Sequence, residues 1–196
     1  MRRPNLSVLA LLLPLAACGT TALPMTYSPS VPPRVAQAAR PVVSVGPVTD
    51  ERSDGQAGTA QFGTIRGGYG NPVRRLAAPV PVAEVVAQAF RDALAARGLL
   101  AQGGSPYELR VRIRQYNASK LLRTEANVEL LGSLVNRATG AVAWTGTGRS
   151  ELVEGGSVFA AGVLANPEEL RGTMTRSMAA AIDEMLNRPD FAQALR

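Results

Sequence analysis

Residues 107–116 alternate between apolar and polar side chains with the two-residue period of a β-strand. The apolar positions are Tyr107, Leu109, Val111 and Ile113, and the positions between them are Glu108, Arg110, Arg112 and Arg114. Successive side chains of a strand point to opposite faces, so one set packs on a core while the other faces water. The pattern therefore predicts a sheet that is covered on one face only.

Further strands are predicted on both sides of this one. Residues 124–135 show similar alternation and 141–150 predict a third strand, and the short links predict an antiparallel meander of three strands. Residues 41–48 predict a first strand, which is entered and left by proline. The glycine-rich stretch 58–72 is predicted to be irregular, with a loosely held strand around 59–66 as the alternative.

Two amphipathic helices complete the predicted domain. The first covers 81–97, with Pro81 in its first turn and Gly98 at its C-terminal end. The second is capped by Asn166, and Pro189 ends or kinks it. Its buried stripe is Leu170, Met174, Met178, Ala181, Ile182 and Met185. The order predicts an α+β domain in two layers: a mainly antiparallel sheet (β-α-β-β-β-α) with two helices packed on one face.

The N-terminus has the features of an export signal. Arg2 and Arg3 precede an apolar run over 6–17, which is too short to span a bilayer and ends at Cys18, the only cysteine. The sequence Leu15-Ala16-Ala17-Cys18 resembles a bacterial lipobox, whose cysteine becomes an acylated N-terminus. The alternative is an ordinary secretory signal with a chance cysteine. Gly19, in place of Asp, implies by this resemblance export to the outer membrane, facing the periplasm.

Three regions follow from these signals: a lipoprotein signal peptide over 1–17, a lipidated cysteine and proline-rich tether over 18–40, and a periplasmic α+β domain over 41–196. Residues 19–40 carry Pro24, Pro29, Pro32 and Pro33. In an extended polyproline-like form this tether would reach roughly 70 Å.

The composition excludes several common catalytic and metal-binding groups. The chain has no histidine, which excludes the commonest general base, and a single cysteine excludes an internal disulfide or a cysteine-rich zinc site. Asp50 and Asp54 are interpreted as members of a solvated turn with Arg52. No cofactor, no metal ligand and no catalytic residue is predicted. Nucleic-acid binding is not expected of an exported chain without interleaved aromatic and basic residues.

Three segments are candidates for binding a partner. Arg110, Arg112 and Arg114 are predicted to share one strand face, where they either bind an anionic partner or pair with Glu125 and Glu129 on the next strand; we favour pairing. The glycine-rich loop 63–70 lacks the spacing of a phosphate-binding loop and is interpreted as a surface loop. The apolar residues 158–164, after Gly155 and Gly156, either insert under the sheet or form a contact surface.

Four segments resemble parts of the YajG family of bacterial lipoproteins. They are Val48-Thr-Asp-Glu-Arg-Ser-Asp54, Ala96-Arg-Gly98, Pro106-Tyr-Glu-Leu-Arg-Val-Arg-Ile113 and Arg188-Pro-Asp-Phe-Ala-Gln-Ala-Leu195. The resemblance implies location and fold more than function, because the family has no established reaction or ligand.

The expected function is that of a non-catalytic binding or accessory module of the envelope. It is expected to attach to the membrane through acyl chains on Cys18, with other envelope proteins or an anionic lipid as further partners. The alternatives are an auxiliary lipoprotein of an envelope lipid or lipopolysaccharide transport system and, from another class, a periplasmic hydrolase.

Overall fold

The structure is a computed structural model that describes residues 21–32, 42–155 and 165–196. Seven strands and three helices lie in these ranges. They are β1 (Thr21–Ala22), β2 (Val43–Asp50), β3 (Gln61–Arg66), β4 (Pro72–Ala77), α1 (Val82–Ala96), β5 (Tyr107–Lys120), β6 (Thr124–Asn136), β7 (Val142–Glu154), α2 (Pro167–Leu186) and α3 (Pro189–Ala194).

The long strand β5 organises a single mixed sheet. The spatial order is β1-β4-β3-β5-β6-β7, and β5, β6 and β7 form the predicted antiparallel meander. On the other side of β5, two strands pair with it in parallel: β2 lies along its first half, and β3 lies along its end, where Ile65 pairs with Lys120. The predicted two-layer α+β fold is confirmed, with a sheet that includes more parallel pairing than the sequence indicated.

A β-bulge at Arg114 reverses the alternation within β5. Ile113 pairs with Leu130 and Gln115 pairs with Glu129, so Arg114 is the extra residue on the bulged strand. Before the bulge the odd-numbered side chains are buried, and after it Tyr116, Ala118 and Lys120 are buried instead. The bulge thereby turns Tyr116 into the core and places Lys120, the only lysine, under α2.

The helices cover the inner face of the sheet. Helix α2 packs on β5, β6 and β7, and α1 packs on β2. The six predicted stripe residues of α2 are all buried, and the Asn166 side chain accepts a hydrogen bond from the Glu168 backbone N–H, as an N-cap does. Trp144 is buried by α3, where its ring meets Phe191 edge to face at a centroid distance of 4.9 Å.

The glycine-rich stretch is more ordered than predicted. It contains two strands, β3 and β4, joined by a turn in which Gly70 has a φ of +80°. Gly63 lies close to α2, since a Cβ on Gly63 would lie 3.3 Å from Leu170 Cδ2. The glycines thus allow a tight turn and close packing rather than irregularity.

Residues 21–32, which we call the N-terminal strap, pack against the domain. Its first two residues form β1, which pairs in parallel with β4 through Thr21 with Leu76 and Ala22 with Ala77. Leu23 and Tyr27 belong to the hydrophobic core. For these residues a packed conformation replaces the extended tether that we predicted, because two apolar side chains and a strand edge hold the chain in place.

Candidate functional site

A buried polar network lies where the strap crosses the two long helices. Arg97 follows the last turn of α1 and has no exposed side-chain surface. Its Nη2 donates to Asp183 Oδ1 on α2 at 2.8 Å and to Asn187 Oδ1 at 2.9 Å, and its Nη1 donates to the Ala93 carbonyl at 3.0 Å. This buried network was not among the sites predicted from the sequence.

The Asp183 carboxylate also holds the strap. Tyr27 donates its hydroxyl to Asp183 Oδ1, and Ser30 donates its backbone N–H and its hydroxyl to Oδ2 at 2.6 and 2.7 Å. Burial alone would raise the pKa of Asp183, but the hydrogen bonds from Ser30, Tyr27 and Arg97 outweigh it and lower that pKa. Burial and the bond to Asp183 raise the pKa of Tyr27 to about 12.

Serine and aspartate can act as a nucleophile and a general base, but the pKa of Asp183 does not suit a general base. A general base near neutral pH needs a pKa close to the working pH. The pKa of Asp183 is lowered instead, and the paired guanidinium of Arg97 neutralises its charge. An open groove of about 660 Å³ lies beside these residues. The arrangement binds the strap.

A second buried arginine orders the loop between β2 and β3. The side chains of Arg52 and Asp50 form an ion pair at 2.8 Å that is 4% exposed or less. Arg52 also donates to the carbonyl oxygens of Gln56, Gln61 and Tyr116. The interpretation of Asp50 as a solvated turn residue is therefore wrong, because its carboxylate compensates a buried guanidinium. Burial raises the pKa of Asp50, and hydrogen bonds from Arg52 and Gly58 lower it further than burial raises it.

The arginine row lies on the outer face of β5, as predicted, but with different partners. Arg110 pairs with Glu108 at 2.7 Å, and Arg112 and Arg114 share Glu51 at 3.8 and 3.0 Å. Pairing with Glu125 and Glu129 is wrong: β2 brings Glu51 to the row, and Glu129 pairs with Arg149. The three arginine side chains are 50–56% exposed, so these ion pairs are screened by water and contribute little to stability.

Two of the predicted features fall on residues that the structure does not describe. Cys18, with the signal segment before it, lies outside the described residues, and so do 156–164, which include the whole apolar segment 158–164. Within the described ranges, no helix is long and apolar enough to cross a membrane. The same ranges contain no group of three or more acidic, cysteine or histidine side chains placed to hold a metal ion.

A signal for the buried network was present in the sequence. Arg97 lies four residues after Ala93, on the continuation of the apolar stripe of α1, and Asp183 follows Ile182 on α2. A charge on the buried face of a helix needs a partner of opposite charge. Two such charges on two helices of one layer indicate an ion pair between them.

Comparison with known proteins gives the fold. No protein-family model matches the chain, and no curated protein matches it. The chain is similar in structure to protein XCC0632 from Xanthomonas campestris, of family DUF330, with a TM-score of 0.57 and 12% identity over 86% of this chain and 93% of that one. This similarity shows that the two proteins share an architecture.

Two further solved structures are more distant. One is the PelC dodecamer from Paraburkholderia phytofirmans, with a TM-score of 0.44 and 15% identity over 76% of this chain and 92% of that one. The other is lipoprotein GNA1162 from Neisseria meningitidis, with a TM-score of 0.30 and 13% identity over 73% of this chain and 98% of that one. At these scores neither supports an argument about this chain.

Proposed function

We propose that this protein is a lipid-anchored envelope protein whose domain is a non-catalytic binding or accessory module in the periplasm. The observation that carries the proposal is Leu15-Ala16-Ala17-Cys18, in which the only cysteine directly follows an apolar run of signal-peptide length. Two or three acyl chains on one residue give a stable membrane anchor, because each buried CH₂ contributes about 0.8 kcal/mol.

The state of the buried polar groups supports a non-catalytic role. The guanidiniums of Arg52 and Arg97 donate to carboxylates and carbonyl oxygens of the protein itself. Asp50 and Asp183 have lowered pKa values and so are poor proton acceptors at neutral pH. These groups stabilise a loop and the strap, and a hydrolase would need groups that remain available to a substrate.

We further assign the chain to the YajG-like lipoproteins and to the outer membrane. The assignment rests on the four sequence segments given above and on Gly19 after the cysteine. A role in lipid or lipopolysaccharide transport remains the second candidate. It would place an anionic ligand on the arginine row, where Glu51 and Glu108 already neutralise the guanidiniums.

Acylation of Cys18 tests the proposal. The full chain and the variant Cys18→Ser are expressed in a Gram-negative host that is fed labelled fatty acid. Label is expected in the parent chain and not in the variant, and equal label in both contradicts the proposal. Gly19→Asp tests the membrane: this variant is expected to keep its label and to move from the outer to the inner membrane. An unchanged distribution contradicts the outer-membrane assignment.

A further inference from the structure

The pairing of β1 with β4 sets the direction in which the strap runs. β1 runs parallel to β4, and β4 runs away from the turn at 67–71. The N-terminal end of β1 therefore faces that turn, and Thr21 lies beside Leu76, five residues along β4 from the turn. The rest of the strap runs in the same direction along α2: the Pro24 carbonyl accepts from Arg171, and Ser30 binds Asp183 about three helical turns later.

A second turn lies at the same end of the sheet. β3 and β5 are parallel, and Ile65 pairs with Lys120. The turn that follows β3, at 67–71, therefore lies beside the turn that follows β5, at 121–123, with about 4.8 Å between the strands. We call the two turns together the anchor-side end. Cys18 precedes Thr21 by three residues, so it lies within about 10 Å of the point where the strap begins.

Large apolar side chains project from both turns. Tyr69 is fully exposed between glycines, and Leu122 is 53% exposed. Neither side chain belongs to the core. A tyrosine has an apolar ring and a polar hydroxyl, and it is typical of the headgroup region of a bilayer, where one end of the side chain is wet.

The charge near the anchor-side end is positive, because Arg123 lies in one of its turns and Arg74 and Arg75 lie on β4, three and four residues after the other turn. Arg74, Arg75 and Arg123 form no ion pair with any other described residue, whereas Glu154, Glu168 and Glu169 are all paired. Glu154 pairs with Arg176, Glu168 with Arg171 and Glu169 with Lys120. Glu125, two residues after Arg123, is an exposed carboxylate. Arginine side chains near an anionic membrane are attracted to lipid phosphate.

We propose that the anchor-side end lies on the membrane, with Tyr69 and Leu122 in the headgroup region of an anionic lipid surface and Arg74, Arg75 and Arg123 beside its phosphates. The proposal rests on the proposed function, because the acyl chains of Cys18 bring this end to the bilayer. It adds an orientation: the strap holds the domain close to the surface, and the arginine row on β5 does not contact lipid.

Thiol labelling of the full lipidated chain tests the orientation. A cysteine introduced by Tyr69→Cys or Leu122→Cys provides the only free thiol, because Cys18 is then blocked by its thioether. Val142→Cys is the matched control, since Val142 is 58% exposed and begins β7 at the opposite end of the sheet. Each chain is labelled with a polarity-sensitive fluorophore and inserted into vesicles of phosphatidylethanolamine and phosphatidylglycerol.

Labels at positions 69 and 122 are expected to be quenched by lipids with a headgroup-level spin label and protected from aqueous iodide. The label at position 142 is expected to show the reverse. The triple variant Arg74→Gln, Arg75→Gln, Arg123→Gln should lower the ratio of docked to undocked domain about fivefold per arginine removed. The variant Arg110→Gln, Arg112→Gln, Arg114→Gln removes the same charge and should leave the ratio unchanged.

Flotation with the vesicles separates this inference from the proposed function. If the parent chain floats and its Cys18→Ser variant does not, the anchor is present, and the labels then report the orientation alone. Equal iodide access at positions 69 and 142 in floating protein overturns the orientation and leaves the anchor intact. A parent chain that does not float overturns both.

Discussion

Arg97 and Asp183 form an ion pair at 2.8 Å in which neither side chain is more than 1% exposed. The pair joins the end of α1 to α2, and the same carboxylate binds Tyr27 and Ser30 of the strap. One charge pair therefore holds together the helical layer and the segment that leads back to the proposed anchor.

Removing the negative charge of this pair should destabilise the domain. Asp183→Asn leaves the Arg97 guanidinium buried without a counter-charge, which costs about 3–5 kcal/mol. The free energy of unfolding, measured by urea denaturation, is the test. Glu168→Gln is the control, because Glu168 forms an exposed pair with Arg171 and its loss should cost less than about 1 kcal/mol. Equal effects of the two changes would show that Asp183 does not compensate Arg97.

The lowered pKa of Asp183 predicts acid sensitivity. In the folded state hydrogen bonds stabilise the ionised carboxylate of Asp183. Its contribution to the free energy of unfolding is therefore fully present above the unfolded pKa of about 3.9 and is lost as the pH falls through the lower folded pKa. Asp50 and Glu154 also have lowered pKa values and add to the loss. The free energy of unfolding should therefore fall from about pH 5 downward. It should fall less steeply for Asp183→Asn, and parallel curves would contradict the prediction.

Gly148 allows α2 to lie directly on β7. A Cβ at this position would lie 2.0 Å from the Ala181 carbonyl oxygen, so Gly148→Ala must push the helix away from the sheet. Such overpacking costs about 1–3 kcal/mol or more, and the thermal melting temperature is the measurement. The matched control is Gly103→Ala, because a Cβ at Gly103 meets nothing within 4 Å. Equal melting temperatures of Gly148→Ala and Gly103→Ala would show that α2 does not lie directly on β7 at Gly148.

Trp144 should contribute strongly to stability. Its ring is 7% exposed and meets Phe191 edge to face at an interplanar angle of 69°. Trp144→Ala is expected to cost about 3–5 kcal/mol, whereas the exposed Tyr69→Ala should cost almost nothing. Thermal melts that do not move in Trp144→Ala would show that α3 does not cover the ring.

The arginine row should be dispensable for both the fold and lipid binding. Glu51→Gln removes the shared partner of Arg112 and Arg114 and should cost only about 0.2–1 kcal/mol, because both arginines are half exposed. Co-sedimentation with lipopolysaccharide vesicles measures binding by the parent chain and by the variant Arg110→Ser, Arg112→Ser, Arg114→Ser. Salt-sensitive binding that the variant loses would support the lipid-transport alternative.

The meander and both long helices were predictable because their side chains follow one period without interruption. Leu109, Val111 and Ile113 indicate a strand by themselves, and Met174 and Met178 indicate the stripe of α2. The partners of the arginine row were not predictable in the same way. They depend on β2 lying beside β5 in parallel, which is a property of strand order, and strand order leaves no local pattern.

The strap escaped prediction for a different reason. Its prolines and small polar residues are typical of an extended spacer, and only Leu23 and Tyr27 enter the core. Its position depends on Asp183, which is more than 150 residues away along the chain. Contacts over that separation cannot be inferred from the composition of a twelve-residue segment.

The mass of the N-terminal peptide of the mature protein tests the central claim most directly. Protein expressed in a Gram-negative host is extracted from the membrane fraction, digested and measured by mass spectrometry. The account predicts a first residue of Cys18 that carries a thioether-linked diacylglycerol, with or without a third acyl chain on its amine. A peptide with an unmodified Cys18 thiol, or one that still contains Leu15-Ala16-Ala17, would contradict it.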